Sequence, residues 1–348
     1  MMAFTAPLRL RLDSAALLSN WRWLKQRSGT AACGAAIKAD GYGLGAAEVM
    51  RRLMVAGCRD FFVSNWAEAC ALEPLLEGGV SLSVLHGVRD EDMAVALGSR
   101  ARPVLCTPLQ VSRWIAAGGG VCDVMVDTGM NRLGLDWRGD VAAQVGGLQV
   151  ATLLSHLASA DEDSALSALQ FYRFRALKDQ VRASRYSLAN SAGICLGTSY
   201  AFDLTRPGLA LYGGVPRPEA AGAIRPVVQP QVQILQRRRV QAGDAIGYNA
   251  THVAKEPMEI AILNLGYADG YLRGFSGRGS VLHEDAAMPV VGRVSMDLIA
   301  IDISSHPSLG EGDWLDIDYA LPRAAAISGL SQYELLTGLG ARFDRIWV

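Results

Sequence analysis

Four polar residues stand at or beside the ends of short apolar runs. Lys38 closes the run "CGAAIK", His156 closes "VATLLSH" and Asn190 closes "YSLAN". Arg206 lies just before a further run, "LALYGG". An amine held in an apolar setting can form a Schiff base with a carbonyl compound, and histidine and arginine can bind or orient the reacting groups. Each residue also has an ordinary alternative: a solvated strand-end lysine, a satisfied histidine or a structural salt bridge.

The apolar runs alternate with longer amphipathic stretches between about residues 30 and 215. Runs that are apolar throughout are typical of strands that helices cover on both faces, as in a parallel sheet. Eight such units favour a closed barrel over a doubly wound sheet. We therefore predict an α/β fold with an N-terminal (β/α)8 TIM-like barrel over residues 1–225. The predicted strands are 33–38, 60–64, 81–86, 102–106, 122–127, 150–156, 186–190 and about 209–214.

The sequence changes character at about residue 226. Stretches such as "RPVVQPQVQILQRRRV" and "MPVVGRVSMDLIAIDIS" alternate with Gly, Asp and Pro turns and leave little room for long helices. This pattern predicts an antiparallel β domain over residues 226–348. A short helix in "SQYELLTGL" is expected before a last strand, "DRIWV".

The predicted barrel brings the polar residues to one face, because the chemistry of such barrels lies at the C-terminal ends of the strands. Ser191 follows Asn190, and Gly208 follows Arg206 closely. The loops after the seventh and eighth strands are the customary phosphate site of this fold. A lysine facing a phosphate site is the arrangement that pyridoxal phosphate needs. Ser191 could alternatively be a simple helix N-cap.

Composition excludes several classes of function. The net charge of −1 offers no basic surface for nucleic acid, so no nucleic-acid partner is expected. The N-terminal residues lack the apolar core of a signal peptide, and no apolar run is long enough for a membrane span, so we expect a cytoplasmic protein without a membrane partner. The six scattered cysteines indicate reduced, packed thiols, and the five histidines lack a metal-binding spacing.

The chain resembles the alanine racemases, a family of fold-type III pyridoxal phosphate enzymes. In the barrel, the resemblance lies in "AAIKADGYG", "DTGMNRLG", "SHLASAD", "ANSAG" and "TRPGLALYG". In the β domain it lies in "IGYNATH", "LNLGYADGY", "VVGRVSMD" and "YELLTGLGAR". These blocks occur in the family's order across almost the whole chain, and together they are far more specific than any one alone.

The resemblance implies cofactor-binding roles for barrel residues. Lys38 would hold pyridoxal phosphate covalently and act as one catalytic base once substrate frees it. The phosphate would contact Tyr42, Ser191 and the backbone amides near Gly208 and Leu209.

The resemblance also implies neighbours for the cofactor ring and the substrate. His156 would lie against the ring, Asn190 beside it, and Arg206 at the pyridine nitrogen. Arg132 would lie near the phenolic oxygen of the cofactor and the carboxylate of a small amino acid substrate.

The remaining roles fall in the β domain and imply a homodimer with shared active sites. Tyr248 would be the second catalytic base, supplied by the partner subunit. From the same subunit, Met296 would offer its backbone N–H to the substrate carboxylate and Tyr267 would shape the entrance.

These residue types suit the inversion of an α-carbon. Removing a proton from one face and returning one to the other requires two bases, and both a lysine and a tyrosine must be tuned towards working pH. An arginine at the pyridine nitrogen does not give up its proton, so the cofactor becomes a weaker electron sink. That favours simple reprotonation over transamination.

Two departures from the family pattern leave alternatives open. Met125 occupies the position where many members have a carbamylated lysine that anchors the arginine equivalent to Arg132, so a bound anion such as chloride is a candidate replacement. Ala341 stands where some members place a tyrosine near the substrate side chain. The alternatives to an alanine racemase are a racemase of serine, lysine or many amino acids, and an inactive cofactor-binding regulator. A related decarboxylase is disfavoured by Arg206 and by the lack of cysteines after Cys195.

Overall fold

The computed structural model describes residues 5–284 and 286–348. The chain separates into two compact units. Residues 17–225 form one, called here the barrel unit. Residues 226–348 and the described residues up to 16 form the other, called the β unit. No helix in the described part of the chain is long and apolar enough to cross a membrane.

The chain begins with strand β1, Leu8–Leu12, and helix Ser14–Arg27. The strands of the barrel unit are β2 Ala32–Cys33, β3 Ala35–Ala36, β4 Asp60–Val63, β5 Ser81–Val84, β6 Arg102–Leu105, β7 Cys122–Asp127, β8 Leu135–Asp136, β9 Val150–Leu154, β10 Arg185–Ser187 and β11 Leu204–Thr205. Its further helices are Ala46–Ala56, Trp66–Leu72, Met93–Gly98, Pro108–Ala116, Val141–Val145, Ala165–Lys178 and Ser191–Cys195.

The barrel strands form a closed parallel sheet. Strands β3, β4, β5, β6, β7, β9 and β10 pair in that order, with β8 beside β7. Strand β11 closes the ring, because it pairs in parallel with β2 and its flanking residues bond to those around β10. Asp203 donates its backbone N–H to the Tyr186 carbonyl at 3.0 Å, and Arg206 donates to Ala189 at 2.9 Å. The predicted TIM-like barrel is thus confirmed.

The predicted eighth strand was wrong in position. The strand is Leu204–Thr205, whereas Leu209–Tyr212 forms a 3-10 turn. All four residues of the run "LALY" are buried, which accounts for its apolar composition. A buried run can be a turn as well as a strand, so its composition did not distinguish the two. Pro207, which has no N–H for a strand ladder, separates the two segments. Arg206 therefore directly follows the eighth strand.

The N-terminal ends of the barrel strands carry a separate polar cluster. Arg185 binds Asp60 through two hydrogen bonds of 3.1 and 2.6 Å, and the Ser83 hydroxyl donates to the buried Asp123 at 2.6 Å. Polar groups at this end of a TIM-like barrel serve stability, since the chemistry lies at the opposite end.

The β unit is built on antiparallel strands. Besides β1, its strands are β12 Val228–Val240, β13 Ala245–Ile246, β14 His252–Val253, β15 Met258–Leu263, β16 Ser280–His283, β17 Ala286–Val291, β18 Ile299–Asp302, β19 Trp314–Ile317 and β20 Asp344–Trp347. Its helices are Leu321–Ser328 and Gln332–Thr337. The sheet order is β15-β18-β17-β16-β19-β12-β1-β20, and β12 also pairs with β15.

Strand β1 belongs to the β unit, although the sequence placed all residues up to 225 in the barrel. It pairs antiparallel with β12 and parallel with β20. Leu8, Leu10 and Leu12 alternate with Arg9 and Arg11, and the three leucines are buried. This period of two is typical of a strand with one buried face.

Candidate active site

Lys38 begins an unusual turn at the mouth of the barrel. The next four residues, Ala39, Asp40, Gly41 and Tyr42, have φ values of 53°, 51°, 64° and 57°. Residues other than glycine rarely adopt this left-handed conformation, and such residues cluster at functional sites. The turn holds Lys38 at the C-terminal end of the first barrel strand.

Two carboxylates stabilise this turn through the backbone. Glu68 accepts hydrogen bonds from the N–H groups of Ala39 at 2.8 Å and Ser64 at 2.7 Å. Asp40 accepts one from Ala46 at 2.8 Å, which joins the turn to the next helix. These bonds offset part of the backbone strain, because a buried N–H group with a hydrogen-bond partner costs less free energy than one without a partner.

The environment of Lys38 favours a neutral amine. Burial lowers the pKa of Lys38 below its usual value, and the charges of Arg132 and Arg206 lower it further, while Glu68 acts in the opposite direction. A neutral lysine amine is both a nucleophile and a base.

Arg206 is a buried cation bonded to neutral oxygens. Its side chain is 6% exposed. Its Nε donates to the Ser187 hydroxyl at 2.8 Å, and its terminal nitrogen donates to the backbone carbonyl of Ser155. Among the described residues, no carboxylate lies within ion-pair distance of it. Burial lowers the pKa of Arg206 to about 10, with the charge of Asp123 acting against this, so it remains charged at neutral pH.

His156 is held as a neutral imidazole. Burial and the positive charges of Arg206, Arg132 and Lys38 lower the pKa of His156 to about 3. A neutral ring at this position can pack against an aromatic group without adding charge.

Asn190 and Ser191 form a cradle of hydrogen-bond donors and acceptors. Asn190 caps the helix that begins at Ser191, accepting from the Gly193 N–H at 2.8 Å. The Ser191 hydroxyl accepts from the backbone N–H groups of Gly208 at 2.9 Å and Ala210 at 3.2 Å. Two amides and a hydroxyl therefore converge, as in sites that bind phosphate.

Tyr42 forms another wall of this cradle. Its ring stacks on Tyr212 with centroids 4.6 Å apart, and both rings are buried. A Cβ atom on Gly208 would lie only 2.2 Å from the Tyr42 hydroxyl oxygen, so only glycine fits there. Leu209, expected to contribute an amide, is buried. The amide of Ala210 and the ring of Tyr212 were not anticipated from the sequence.

Arg132 is positioned through its backbone. The Asp127 carboxylate accepts from the N–H groups of Gly129 and Met130 at 2.8 Å each and of Arg132 at 2.7 Å. Within the described part of the chain, the Arg132 guanidinium has no hydrogen bond or ion pair. Met125 is buried in β7.

The β unit holds the other predicted residues. Tyr248 is 65% exposed and lines a groove of about 450 Å³ that also includes Arg293. Tyr267 and Met296 lie on two loops joined by backbone bonds of 3.0 Å, from Tyr267 to the Ser295 carbonyl and from Ala268 to the Met296 carbonyl. Ala341, in the same unit, is exposed.

The barrel residues fit pyridoxal phosphate. Lys38 offers an amine with a lowered pKa, and the cradle around Ser191 and Gly208 offers phosphate donors. Arg206 is a buried cation that donates to a hydroxyl and to backbone carbonyls, and a guanidinium can also donate to an acceptor on a ligand. The amine, the anion cradle and the guanidinium lie on one barrel face, and together they suit pyridoxal phosphate.

The comparisons with known proteins agree with this arrangement. The family model for the alanine racemase N-terminal domain matches residues 12–216, and the model for the C-terminal domain matches residues 227–347.

Relatives and solved structures resemble the whole chain. An alanine racemase of Methylobacterium nodulans is 40% identical, over 98% of this chain and 96% of the relative, and one of Dinoroseobacter shibae is 40% identical, over 98% and 97%. The crystal structure of alanine racemase from Bartonella henselae with covalently bound pyridoxal phosphate has a TM-score of 0.92 and 31% identity, covering 99% of this chain and 100% of the other. Biosynthetic alanine racemase from Pseudomonas aeruginosa has a TM-score of 0.89 and 30% identity, with coverage of 99% and 100%. The predicted family is confirmed: this chain belongs to the alanine racemases.

Proposed function

We propose that this chain is a pyridoxal phosphate-dependent isomerase that interconverts L- and D-alanine. The observation that carries the proposal is the placement of Lys38, whose pKa is lowered by burial, and the buried Arg206 on one barrel face. Relatives at 40% identity over nearly the full length are named alanine racemase, and the Bartonella henselae structure contains covalently bound pyridoxal phosphate. Both facts support the assignment.

The residues that would hold the cofactor come from the barrel unit. Lys38 would bind it covalently, and the phosphate would meet the hydroxyls of Tyr42 and Ser191 and the amides near Gly208 and Leu209. When bound, pyridoxal phosphate withdraws electrons from the α-carbon of an amino acid and so makes its proton removable.

Three side chains would set the properties of the ring site. His156, held neutral, would pack against the ring, and Asn190 would lie beside it. Arg206 would meet the pyridine nitrogen and keep it unprotonated, since arginine retains its own proton. The reaction is thereby biased towards returning a proton to the α-carbon.

Two bases would exchange the proton on opposite faces of the α-carbon. Lys38 Nζ serves one face, and the Tyr248 hydroxyl from a second copy of the chain serves the other. Arg132 and the backbone N–H of Met296 bind the substrate carboxylate, and Tyr267 shapes the entrance. The exposure of Tyr248 supports such a role, because its hydroxyl is accessible to another chain.

The enzyme would act as a homodimer in the cytoplasm. The six cysteines are free thiols in the structure, which supports a reducing compartment.

The test is racemisation by purified protein with added pyridoxal phosphate, measured by chiral chromatography on a panel of L-amino acids. Alanine should turn over fastest. If serine, lysine or another larger amino acid turned over faster, that amino acid would be the preferred substrate in place of alanine. Ala341 would then be the residue to vary. No turnover of any amino acid would favour the inactive regulator.

The same assay tests the two bases. Lys38→Ala should lose the absorbance of the covalently bound cofactor together with activity, whereas Lys178→Ala should change neither. Tyr248→Phe should keep the absorbance and lose racemisation by at least about a hundredfold, the usual contribution of a general base. Tyr172→Phe is the matched control, because Tyr172 is also 65% exposed. A fully active Tyr248→Phe enzyme would rule out the two-base assignment.

A further inference from the structure

Gln170 is a fully buried carboxamide on helix Ala165–Lys178. Its Nε2 donates to the backbone carbonyl of His156 at 2.9 Å and to the Thr128 hydroxyl at 3.3 Å. Its Oε1 accepts from the backbone N–H of Ala158 at 2.9 Å. One side chain therefore uses both of its polar atoms on two separate strand-end loops.

These two loops carry the substrate and ring residues. Thr128 follows β7 and begins the loop that contains Arg132. His156 and Ala158 lie in the loop after β9. Gln170 thus bonds the loop that presents Arg132 to the loop that presents His156.

A second layer of bonds connects the same loops to Arg206. The Thr128 and Ser155 hydroxyls are 2.7 Å apart, and the Ser155 carbonyl accepts a hydrogen bond from Arg206. Arg173, one turn after Gln170, donates to the Thr128 carbonyl at 2.8 Å. Thr128, Ser155 and Gln170 are all fully buried, so the loss of one bond would leave an unsatisfied buried group.

Such support matters for the placement of the Arg132 side chain. The Arg132 side chain is exposed and has no bonded partner among residues 5–284 and 286–348. Its position must come from the backbone that carries it. Asp127 holds that backbone within the loop, and Gln170, beside the bond between the Thr128 and Ser155 hydroxyls, ties the loop to its neighbour.

We propose that Gln170 is a positioning residue that sets the spacing between the Arg132 loop and the His156 loop. The inference rests on the proposed function, because Arg132 is expected to bind the substrate carboxylate. A shift of about 1 Å at a substrate-binding group is enough to lower kcat/KM strongly.

Gln110 offers a matched control in the same barrel. It also lies on a helix, and it also joins two strand ends: its Oε1 accepts from the Cys106 N–H at 2.7 Å and its Nε2 donates to the His86 carbonyl at 3.0 Å. Neither of those loops carries a predicted site residue. Gln110→Met removes the same kind of bond without touching the site.

The experiment compares Gln170→Met and Gln110→Met in the holoenzyme. Gln170→Met should raise KM for alanine and lower kcat/KM by about tenfold to a hundredfold, with the absorbance of the covalently bound cofactor retained. Hydrogen exchange should become faster in peptides covering 127–134 and 155–160. Gln110→Met should leave KM, kcat and the exchange of those peptides unchanged.

Gln170→Met kinetics and loop exchange equal to those of wild type would overturn the proposal, as would an equal kinetic loss in Gln110→Met. If Gln170→Met does not fold, Thr128→Val takes its place: it should raise KM, while Thr128→Ser, which keeps the hydroxyl, should restore it. Equal KM values for those two variants would also overturn the proposal. A wild-type enzyme that racemises no alanine would instead contradict the proposed function, and the exchange measurement would still test the spacing of the loops.

Discussion

At the barrel mouth, positive charges are concentrated where burial already disfavours them. Lys38 and His156 both have a lowered pKa, in each case through burial first and then through neighbouring cations. Arg206 lacks a carboxylate at ion-pair distance in the described residues. A bound phosphate and a substrate carboxylate would relieve this repulsion, so the same arrangement that lowers the pKa of the amine would also favour anionic ligands.

His156 makes a residue-scale prediction about acid stability of the cofactor-free protein. Its pKa is about 3 when folded and 6.5 in the unfolded reference, so the unfolded chain binds more protons between these values. Stability should therefore be greatest above about pH 6.5 and fall as the pH decreases from there towards 3. Between pH 7.5 and 5.5, with allowance for partial exposure of the ring, His156 should account for about 1 kcal/mol of lost unfolding free energy.

Urea unfolding at the two pH values measures this effect. His156→Gln should reduce the pH dependence by that amount, whereas His86→Gln, at an exposed position of the same unit, should not. An unchanged pH dependence in His156→Gln would show that the ring is not held neutral by its surroundings.

At the scale of elements, the cradle depends on three segments that meet at one point. Tyr42 comes from the left-handed turn after β3, Ser191 from the start of a helix, and the amides of Gly208 and Ala210 from the 3-10 turn after β11. The stacking of Tyr42 on Tyr212 leaves the hydroxyl of Tyr42 little freedom to move. The shape of the cradle is therefore set by packing between elements.

Gly208→Ala should weaken pyridoxal phosphate binding by about tenfold or more. The new Cβ would lie 2.2 Å from the Tyr42 Oη and 2.9 Å from its Cζ, so either Tyr42 or the 3-10 turn must move away from the phosphate position. Titration of cofactor-free protein, followed by absorbance, measures the dissociation constant. Gly98→Ala is the control, since a Cβ there meets no atom within 4 Å. Equal affinity in the two variants would mean that the cradle does not bind the phosphate.

At the scale of the whole molecule, the predicted site residues belong to two different compact units. Lys38, His156 and Arg206 lie in the barrel unit, whereas Tyr248 and Met296 lie in the β unit with largely exposed side chains. The proposed homodimer would complete each site with the β unit of the other copy.

Mixing two inactive variants tests this sharing. A hybrid of Lys38→Ala and Tyr248→Phe chains would have one site with both residues intact and one with neither. Random reassociation makes about half of the dimers hybrid, and each hybrid has one intact site of its two. About a quarter of wild-type activity should therefore return. No recovery after denaturation and refolding of the mixture, with wild-type chains recovering fully, would place Lys38 and Tyr248 of each site in one chain.

The local pattern of the sequence determined the order of the barrel strands and the placement of Lys38, His156 and Asn190 at their ends. Apolar runs and their spacing are local properties, and the geometry of a parallel barrel then brings the C-terminal ends to one face. The same reasoning failed for the eighth strand, because two residues are too few to show a period and the buried "LALY" turn has the same composition as a strand.

Only the tertiary structure decided the pairing of β1 with β12, more than 200 residues away, and the meeting of Ser191 with the Gly208 and Ala210 amides. It also decided the lowered pKa of Lys38 and the hydrogen bonds of Gln170. Gln170 is 42 residues from its partner Thr128 along the chain. A polar residue on an amphipathic helix gives no sign of its partners in the sequence. Hydrogen bonds and charge effects depend on distances of a few ångströms, and those distances exist only once the elements pack together.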